Sequence, residues 1–283
     1  MQAHFFRHQA TLISLLALSA LTHQAVAQQC ALTLDQSNSA SVQTLQQQAD
    51  DGEACAQFNM GYLHYTQQSY SESEHWYAKA AEQGVARAAF EIAILYRDKL
   101  LPSNEATRQR WLTQAAEQGL DLAQIELGLD YLESSDPQES LFKAMYWFER
   151  AAQQGNASAQ YQLGNLYWSD DRGVQFAVDG DEQAIHFGSS DSKALYWICK
   201  AAQNNHADAQ FSLSEAYVSG RIMPNRIQSH LWLELAASNG SADAKQRLDS
   251  NLTAWYTQLE EWVKRKASNE TARCPDEARE VEE

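Results

Sequence analysis

The sequence predicts an all-α protein, a right-handed α/α solenoid of about five two-helix repeats and part of a sixth, with a small β-hairpin inserted in the fourth. Two short motifs that recur at a steady period predict the array. One long spacing, filled by alternating apolar residues, predicts the hairpin.

The first motif is a hexapeptide. Ala56-Gln57-Phe58-Asn59-Met60-Gly61 returns as Ala123-Gln124-Ile125-Glu126-Leu127-Gly128, as Ala159-Gln160-Tyr161-Gln162-Leu163-Gly164 and as Ala209-Gln210-Phe211-Ser212-Leu213-Ser214. A looser copy begins at Ala88 and another at Ala244, so the leading alanines are spaced by 32, 35, 36, 50 and 35 residues. The second motif runs from Trp76 to Gly84 and returns from Trp111 to Gly119, Trp147 to Gly155, Trp197 to Asn205 and Trp232 to Gly240. Each unit thus holds a helix A and a helix B. The closing Gly or Asn suits the left-handed residue that ends a helix.

Within helix A, Ala56, Met60 and Leu63 fall on one stripe, while Gly61, or Ala93 in the looser copy, lets a neighbour approach closely. Within helix B, the Trp and the Ala-Ala pair let a large ring lie over small residues. A single pair would leave that face wet, and stacked pairs bury it. These residues are core.

The two motifs resemble the Sel-1-like repeat, a relative of the tetratricopeptide repeat, over about residues 40–250. The third and fourth copies follow its pattern nearly throughout. The first departs at His64, where Tyr96, Tyr131, Tyr167 and Tyr217 stand in the others, as terminal units of solenoids commonly do. The resemblance implies a helical solenoid that holds a partner protein or peptide on its concave face. Relatives in bacteria serve envelope assemblies such as flagellar motor rings and polysaccharide export. Cysteine-rich relatives linked to β-lactam binding carry a disulfide in each repeat, a spacing absent here.

The ends read differently. Residues 1–27 look like a secretory signal peptide: Arg7 near the start, an apolar stretch from about Thr11 to Leu21, and Ala25-Val26-Ala27 before the expected cut. That stretch is too short for a membrane span, which needs about 20 apolar residues. The mature protein is therefore expected to be a monomer without membrane insertion, in the periplasm or secreted. Residues 28–52 form an N-terminal capping segment, 53–249 the solenoid and 250–267 a closing helix with Leu252, Trp255, Leu259 and Trp262 on one face. Residues 268–283 are polar and acidic and are expected to fray.

Four cysteines, Cys30, Cys55, Cys199 and Cys274, form an even set, as an exported protein with disulfides would have. Three pairings are open. The layout favours Cys30 with Cys55 across the N-terminal cap, and Cys199 with Cys274, each tying down an end that lacks a neighbour.

The chain carries 37 acidic and 21 basic residues, a net charge of −16. Such a surface repels nucleic acid and anionic lipid and suits a basic partner patch. No nucleotide loop, nucleophile elbow or zinc spacing occurs, so no catalytic residue, cofactor or metal is expected. Ser140 to Lys143 and Ser190 to Lys193 match a Ser-x-x-Lys pattern. Both lysines fill the slot that precedes the helix-B Trp, which gives the pattern a structural cause.

A protein-binding adaptor is the leading reading, with a released protein that binds host or neighbour molecules as the second and a β-lactam or cell-wall enzyme as the third. The candidate partner contacts follow the hexapeptide's last residue: Tyr62, Ile94, Leu129, Asn165 and Glu215. Phe176 and Phe187 join them from the insertion, residues 174–189, because loops on rigid scaffolds often bind.

Overall fold

The computed structural model describes residues 30, 39–102, 104–133, 137–169, 174–178, 181–187, 191–219, 221–250 and 270–275. Among them twelve helices alternate as the repeats require. After α1 (Ser39–Asp50) come α2 (Ala54–Thr66), α3 (Tyr70–Glu82), α4 (Ala86–Arg97), α5 (Glu105–Glu117), α6 (Asp121–Leu132) and α7 (Pro137–Gln153). Then follow α8 (Ala157–Ser169), α9 (Asp191–Gln203), α10 (Ala207–Ser219), α11 (Arg226–Ser238) and α12 (Ala242–Ser250). The chain divides into two compact units, 1–127 and 128–283.

Helix boundaries follow local chemistry. Asn104, Asn156 and Asn225 each place a side-chain oxygen on the free amides of the helix that follows. His206 fills the same role with its Nδ1, which accepts from the Ala209 amide at 3.3 Å. At the other end, Gly155 closes α7 with φ of 91°. Asn205 adopts φ of 63° at the matching place after α9, where its side chain tolerates the left-handed region.

Four of the five helix-B tryptophans are buried, and Trp76, Trp111 and Trp147 still reach the surface by an edge, each 8 % exposed. In the first four units the residue after the Trp goes deeper. Leu112, Phe148 and Ile198 are 0 % exposed and Tyr77 only 2 %. These are the knobs that the small residue of helix A receives. A Cβ on Gly61 would run into the Tyr77 ring, one on Gly128 would lie 2.8 Å from the Phe148 ring, and one on Gly164 2.5 Å from Ile198. The close neighbour is thus chiefly a side chain of the unit's own helix B rather than another backbone. In the fifth unit Ser214 takes the place of Gly, and its hydroxyl is matched by that of Ser229 at 3.1 Å.

The Gln of the hexapeptide does a job that no apolar-stripe argument assigns to it. Gln57, Gln124, Gln160 and Gln210 are 0 to 5 % exposed. Each donates from Nε2 to a carbonyl eight residues earlier, in the last turn of the preceding helix: Ala49, Ala116, Ala152 and Ala202, at 2.9 to 3.1 Å. Those carbonyls, at helix ends, also accept from the amides of Gly52, Gly119, Gly155 and Asn205 just past the helix, so the glutamine is a second donor to each. Three of the glutamines also accept at Oε1, from Gln83, Asn204 and Asn239 at 2.7, 3.0 and 2.9 Å. The looser second copy has Ala89 in the Gln position, and there Gln114 of α5 reaches the equivalent carbonyl, Ala81, at 3.1 Å.

Disulfides join Cys30 to Cys55 and Cys199 to Cys274. The second fastens residues 270–275, which pack against α10 and α11 where a frayed tail is expected. Hydrophobicity gives no hint of this, because side-chain polar groups hold the main chain. Gln228 Oε1 accepts from the Arg273 amide at 2.7 Å, its Nε2 donates to the Thr271 carbonyl at 3.2 Å, and it reaches Glu270 Oε2 at 3.3 Å. The Arg273 carbonyl accepts twice, from Tyr217 OH and Trp232 Nε1, both at 3.0 Å.

Two strands, β1 (Val174–Val178) and β2 (Asp181–Phe187), pair antiparallel between α8 and α9, with Val174 opposite Phe187 and Phe176 opposite Ile185. Their side chains, with those of Phe176 and Phe187, lie outside the described residues, as do the expected signal peptide and most of the expected closing helix.

Candidate functional site

Tyr62, Ile94, Leu129, Asn165 and Glu215 are all half-buried in their A helices. Two of them line clefts. Ile94, Leu129 and Asn165 line neither.

In the first unit, a cleft of about 560 Å³ is lined by Phe58, Tyr62, Tyr65, Tyr77, Arg87 and Glu91 among others. Its floor is aromatic, with the Phe58 and Tyr77 rings 5.4 Å apart. One wall is the ion pair between Arg87 Nε and Glu91 Oε1 at 2.6 Å. Burial, with the Glu91 carboxylate adding to it, pushes the Tyr77 phenol well above its ordinary range, so it stays neutral. Such a cleft offers ring faces and phenol hydroxyls, and its charged groups are already paired.

In the second unit, a cleft of about 380 Å³ is lined by Trp168, Phe211, Ser212, Glu215, Ala216 and Arg221. The Arg221 guanidinium lies 4.9 Å from the centre of the Trp168 ring. Glu215 pairs with Arg247 at 3.4 Å, both side chains well exposed. The Trp168 Nε1 is buried with no hydrogen-bond partner among the described residues. A buried donor left unmade costs about 1–3 kcal/mol, which an acceptor delivered by a bound partner would recover.

Residues just past the nominated ones were missed from sequence. Tyr65 and Trp168 both stand nine positions after the leading alanine of their repeats, where Leu132 and Val218 stand in two others. Tyr65, Leu132 and Val218 are 39, 39 and 54 % exposed. A large apolar residue on the solvent side of a helix end was the available signal.

The Ser-x-x-Lys pattern shows no catalytic arrangement. Ser140 is 6 % exposed, and the Lys143 ammonium lies 5.5 Å from the centre of the Tyr131 ring. Ser190 lies outside the described residues. Among the described residues no group of three His, Cys, Asp or Glu could hold a metal. None of their helices is long and apolar enough to cross a membrane.

The family model for the Sel1 repeat matches residues 56–85, 109–120, 121–156, 157–187, 188–206 and 207–241. Among solved structures, the chain is similar to c5321, described as a protective antigen present in uropathogenic Escherichia coli strains and displaying an SLR fold. The identity is 27 %, the TM-score 0.62, and the match covers 84 % of this chain and 50 % of that one. It is also similar to a Sel1 repeat protein from Oxalobacter formigenes, at 28 % identity and a TM-score of 0.54, covering 73 % and 58 % of the two chains. The chain therefore spans only about half the length of these relatives. No curated protein matches it in sequence.

Proposed function

The chain belongs to the Sel1 repeat family, whose repeats generally mediate protein–protein interaction, and we propose that it is an exported adaptor that holds a partner protein in its helix-A clefts. The observation that supports this reading is the Trp168 indole, a buried donor without an acceptor among the described residues, beside an apolar cleft. An acceptor carried by a bound partner would satisfy this group. Two disulfides fit an oxidising compartment, and with residues 1–27 read as a signal peptide the periplasm is the proposed location. An envelope assembly is the proposed setting.

The test is capture from envelope extract by the full mature chain, beside Tyr62→Ser and Phe211→Ser variants shown by circular dichroism to be folded. A partner retained by the wild type and lost by one variant supports the reading. Equal capture by all three sinks it. Recovery of the protein only from culture medium would favour a released protein that binds neighbouring molecules.

A further inference from the structure

Residues 270–275 sit in a groove at the edge of the fifth repeat, gripped mainly by their main chain. The Arg273 amide donates to Gln228 Oε1 at 2.7 Å, and its carbonyl accepts from Tyr217 OH and Trp232 Nε1, each at 3.0 Å. Gln228 Nε2 reaches the Thr271 carbonyl at 3.2 Å and the Glu270 carboxylate at 3.3 Å. Tyr217 comes from α10, while Gln228 and Trp232 stand one turn apart on α11, so three side chains converge on a single residue and its neighbours. Thr271 and Arg273 are exposed, whereas Ala272 and Cys274 turn towards the core of α9 to α11, an alternation that suits an extended chain. Among the described residues the segment makes no main-chain hydrogen bond of its own. A groove that holds an extended main chain above small inward residues works as peptide sites do.

The disulfide is what makes this occupancy permanent. Hydrogen bonds of this kind exchange for bonds to water or to another chain at small net cost, and Ala272 and Cys274 bury little apolar surface. Cys199–Cys274 closes a link over 75 residues and keeps the segment at its groove. The two sulfurs are not equally reachable. Cys199 is 3 % exposed within α9, whereas Cys274 is half-buried, with Gln203 Nε2 donating to its Sγ at 3.6 Å. An incoming thiolate therefore meets the bond from the Cys274 side.

We propose that residues 270–275 are a redox-latched strap, and that the groove beneath them is a docking site for an extended segment of a partner protein with the strap's own chemistry. A dithiol reductant opens the latch. One of its thiolates attacks Cys274 Sγ, the S–S bond breaks, and Cys199 leaves as a thiolate that takes up a proton. The reductant's second thiol then attacks the mixed disulfide, which frees Cys274 as a thiol and leaves the reductant oxidised to its own disulfide. The strap's departure withdraws the bonds it gave to Tyr217 OH, Trp232 Nε1 and both ends of the Gln228 amide. The incoming segment restores them with the amide and carbonyl of one residue, small residues on either side of it and an acidic residue three positions ahead. Tyr217, Gln228 and Trp232 line neither helix-A cleft, so the groove is tested apart from the clefts.

Trypsin reads the latch. The Arg273 carbonyl is gripped by two donors, so cleavage after Arg273 in the oxidised full mature chain, followed by mass spectrometry, should be slow. Dithiothreitol should speed it about tenfold, and so should Cys199→Ala with Cys274→Ser, which leaves Cys30–Cys55 intact. A rate that neither changes overturns the strap. The groove is read by a fluorescein-labelled, end-blocked peptide with the sequence of residues 268–276, Ser replacing its cysteine. It is added to a full mature chain carrying Arg273→Pro and Cys274→Ser, shown by circular dichroism to be folded, whose strap has lost its amide and its latch. Saturable binding is expected there by anisotropy, and none to the oxidised wild type. Adding Tyr217→Phe, which keeps the ring, should weaken it about fivefold, the loss of one hydrogen bond. No saturable binding to the unlatched chain, equal binding by the Phe variant, or equal binding to the oxidised wild type overturns the docking groove. Sedimentation showing that the reduced wild type is a dimer would assign the groove to a second copy's strap and overturn a foreign partner.

Discussion

Replacing Gln160 with Leu removes an amide from a site that is 2 % exposed while nearly conserving its volume. Two hydrogen bonds disappear, the one to the Ala152 carbonyl at 3.1 Å and the one from Asn204 at 3.0 Å. Asn204 keeps a second acceptor, the Gly155 carbonyl at 3.3 Å, and is near enough to solvent to find water. The Ala152 carbonyl, in the last turn of α7, keeps its bond from the Gly155 amide at 3.0 Å and loses its second donor, which the substituted Leu does not replace. A lost neutral hydrogen bond costs about 0.5–1.5 kcal/mol net, so the two together should cost about 1–3 kcal/mol. Urea unfolding followed by far-UV circular dichroism measures it. Gln153→Ala, on the exposed face of the same helix, should stay within about 0.5 kcal/mol of wild type. The second repeat offers a swap: Gln114→Ala should destabilise, and adding Ala89→Gln should restore most of the loss by rebuilding the common arrangement at Ala81. A Gln160→Leu protein as stable as wild type, or an Ala89→Gln change that gives no rescue, would refute the reasoning.

Three further outcomes follow from the same geometry. Burial holds His206 below its ordinary pKa, and its Nδ1 must stay unprotonated to cap α10. The stabilisation is full above the unfolded value of about 6.5 and is lost as pH falls through the folded one. His206→Asn should flatten the acid limb of a stability-versus-pH curve. Gly128→Ala places a methyl 2.8 Å from the fully buried Phe148 ring and should cost about 1–3 kcal/mol by overpacking, read from the urea midpoint. Cys274→Ser opens a link across 75 residues and should cost about 2–4 kcal/mol; Trp232, 3 % exposed with the segment in place, should then emit further to the red.

The repeats were legible because period and small-large alternation are properties of the chain itself. Ala56, Met60 and Leu63 fall on one stripe by counting, and they do pack together with Trp76. What counting could not supply was the role of a polar residue inside that stripe. Gln160 looks like a surface residue by type, and its partner is a main-chain carbonyl with no letter in the sequence. The knob beside the Trp is hidden similarly, since Trp is the larger apolar residue by type while Tyr77 and Phe148 make the deeper contact. Residues 270–275 escaped because polarity predicts a loose tail, whereas main-chain hydrogen bonds to Gln228 depend on a groove made 40 residues earlier. Of the site, Tyr62 and Glu215 were reachable from the repeat register, but the clefts around them depend on Tyr65 and Trp168, whose exposure only packing decides.

The eight-residue reach of each glutamine sets a rule for how such a chain can change length. Every link runs from the end of one helix B to the start of the next helix A, from Ala49 to Gln57, Ala116 to Gln124, Ala152 to Gln160 and Ala202 to Gln210. None spans the turn from A to B within a unit. One residue added at a B-to-A junction would rotate the following helix by about 100° and carry the amide off its carbonyl. The A-to-B turn carries no glutamine link and varies in length: it is closed by three residues between α2 and α3, and widened between α8 and α9 to hold β1 and β2. Natural insertions and engineered ones, whether epitope, fluorophore or whole domain, are admissible at the second kind of junction and forbidden at the first.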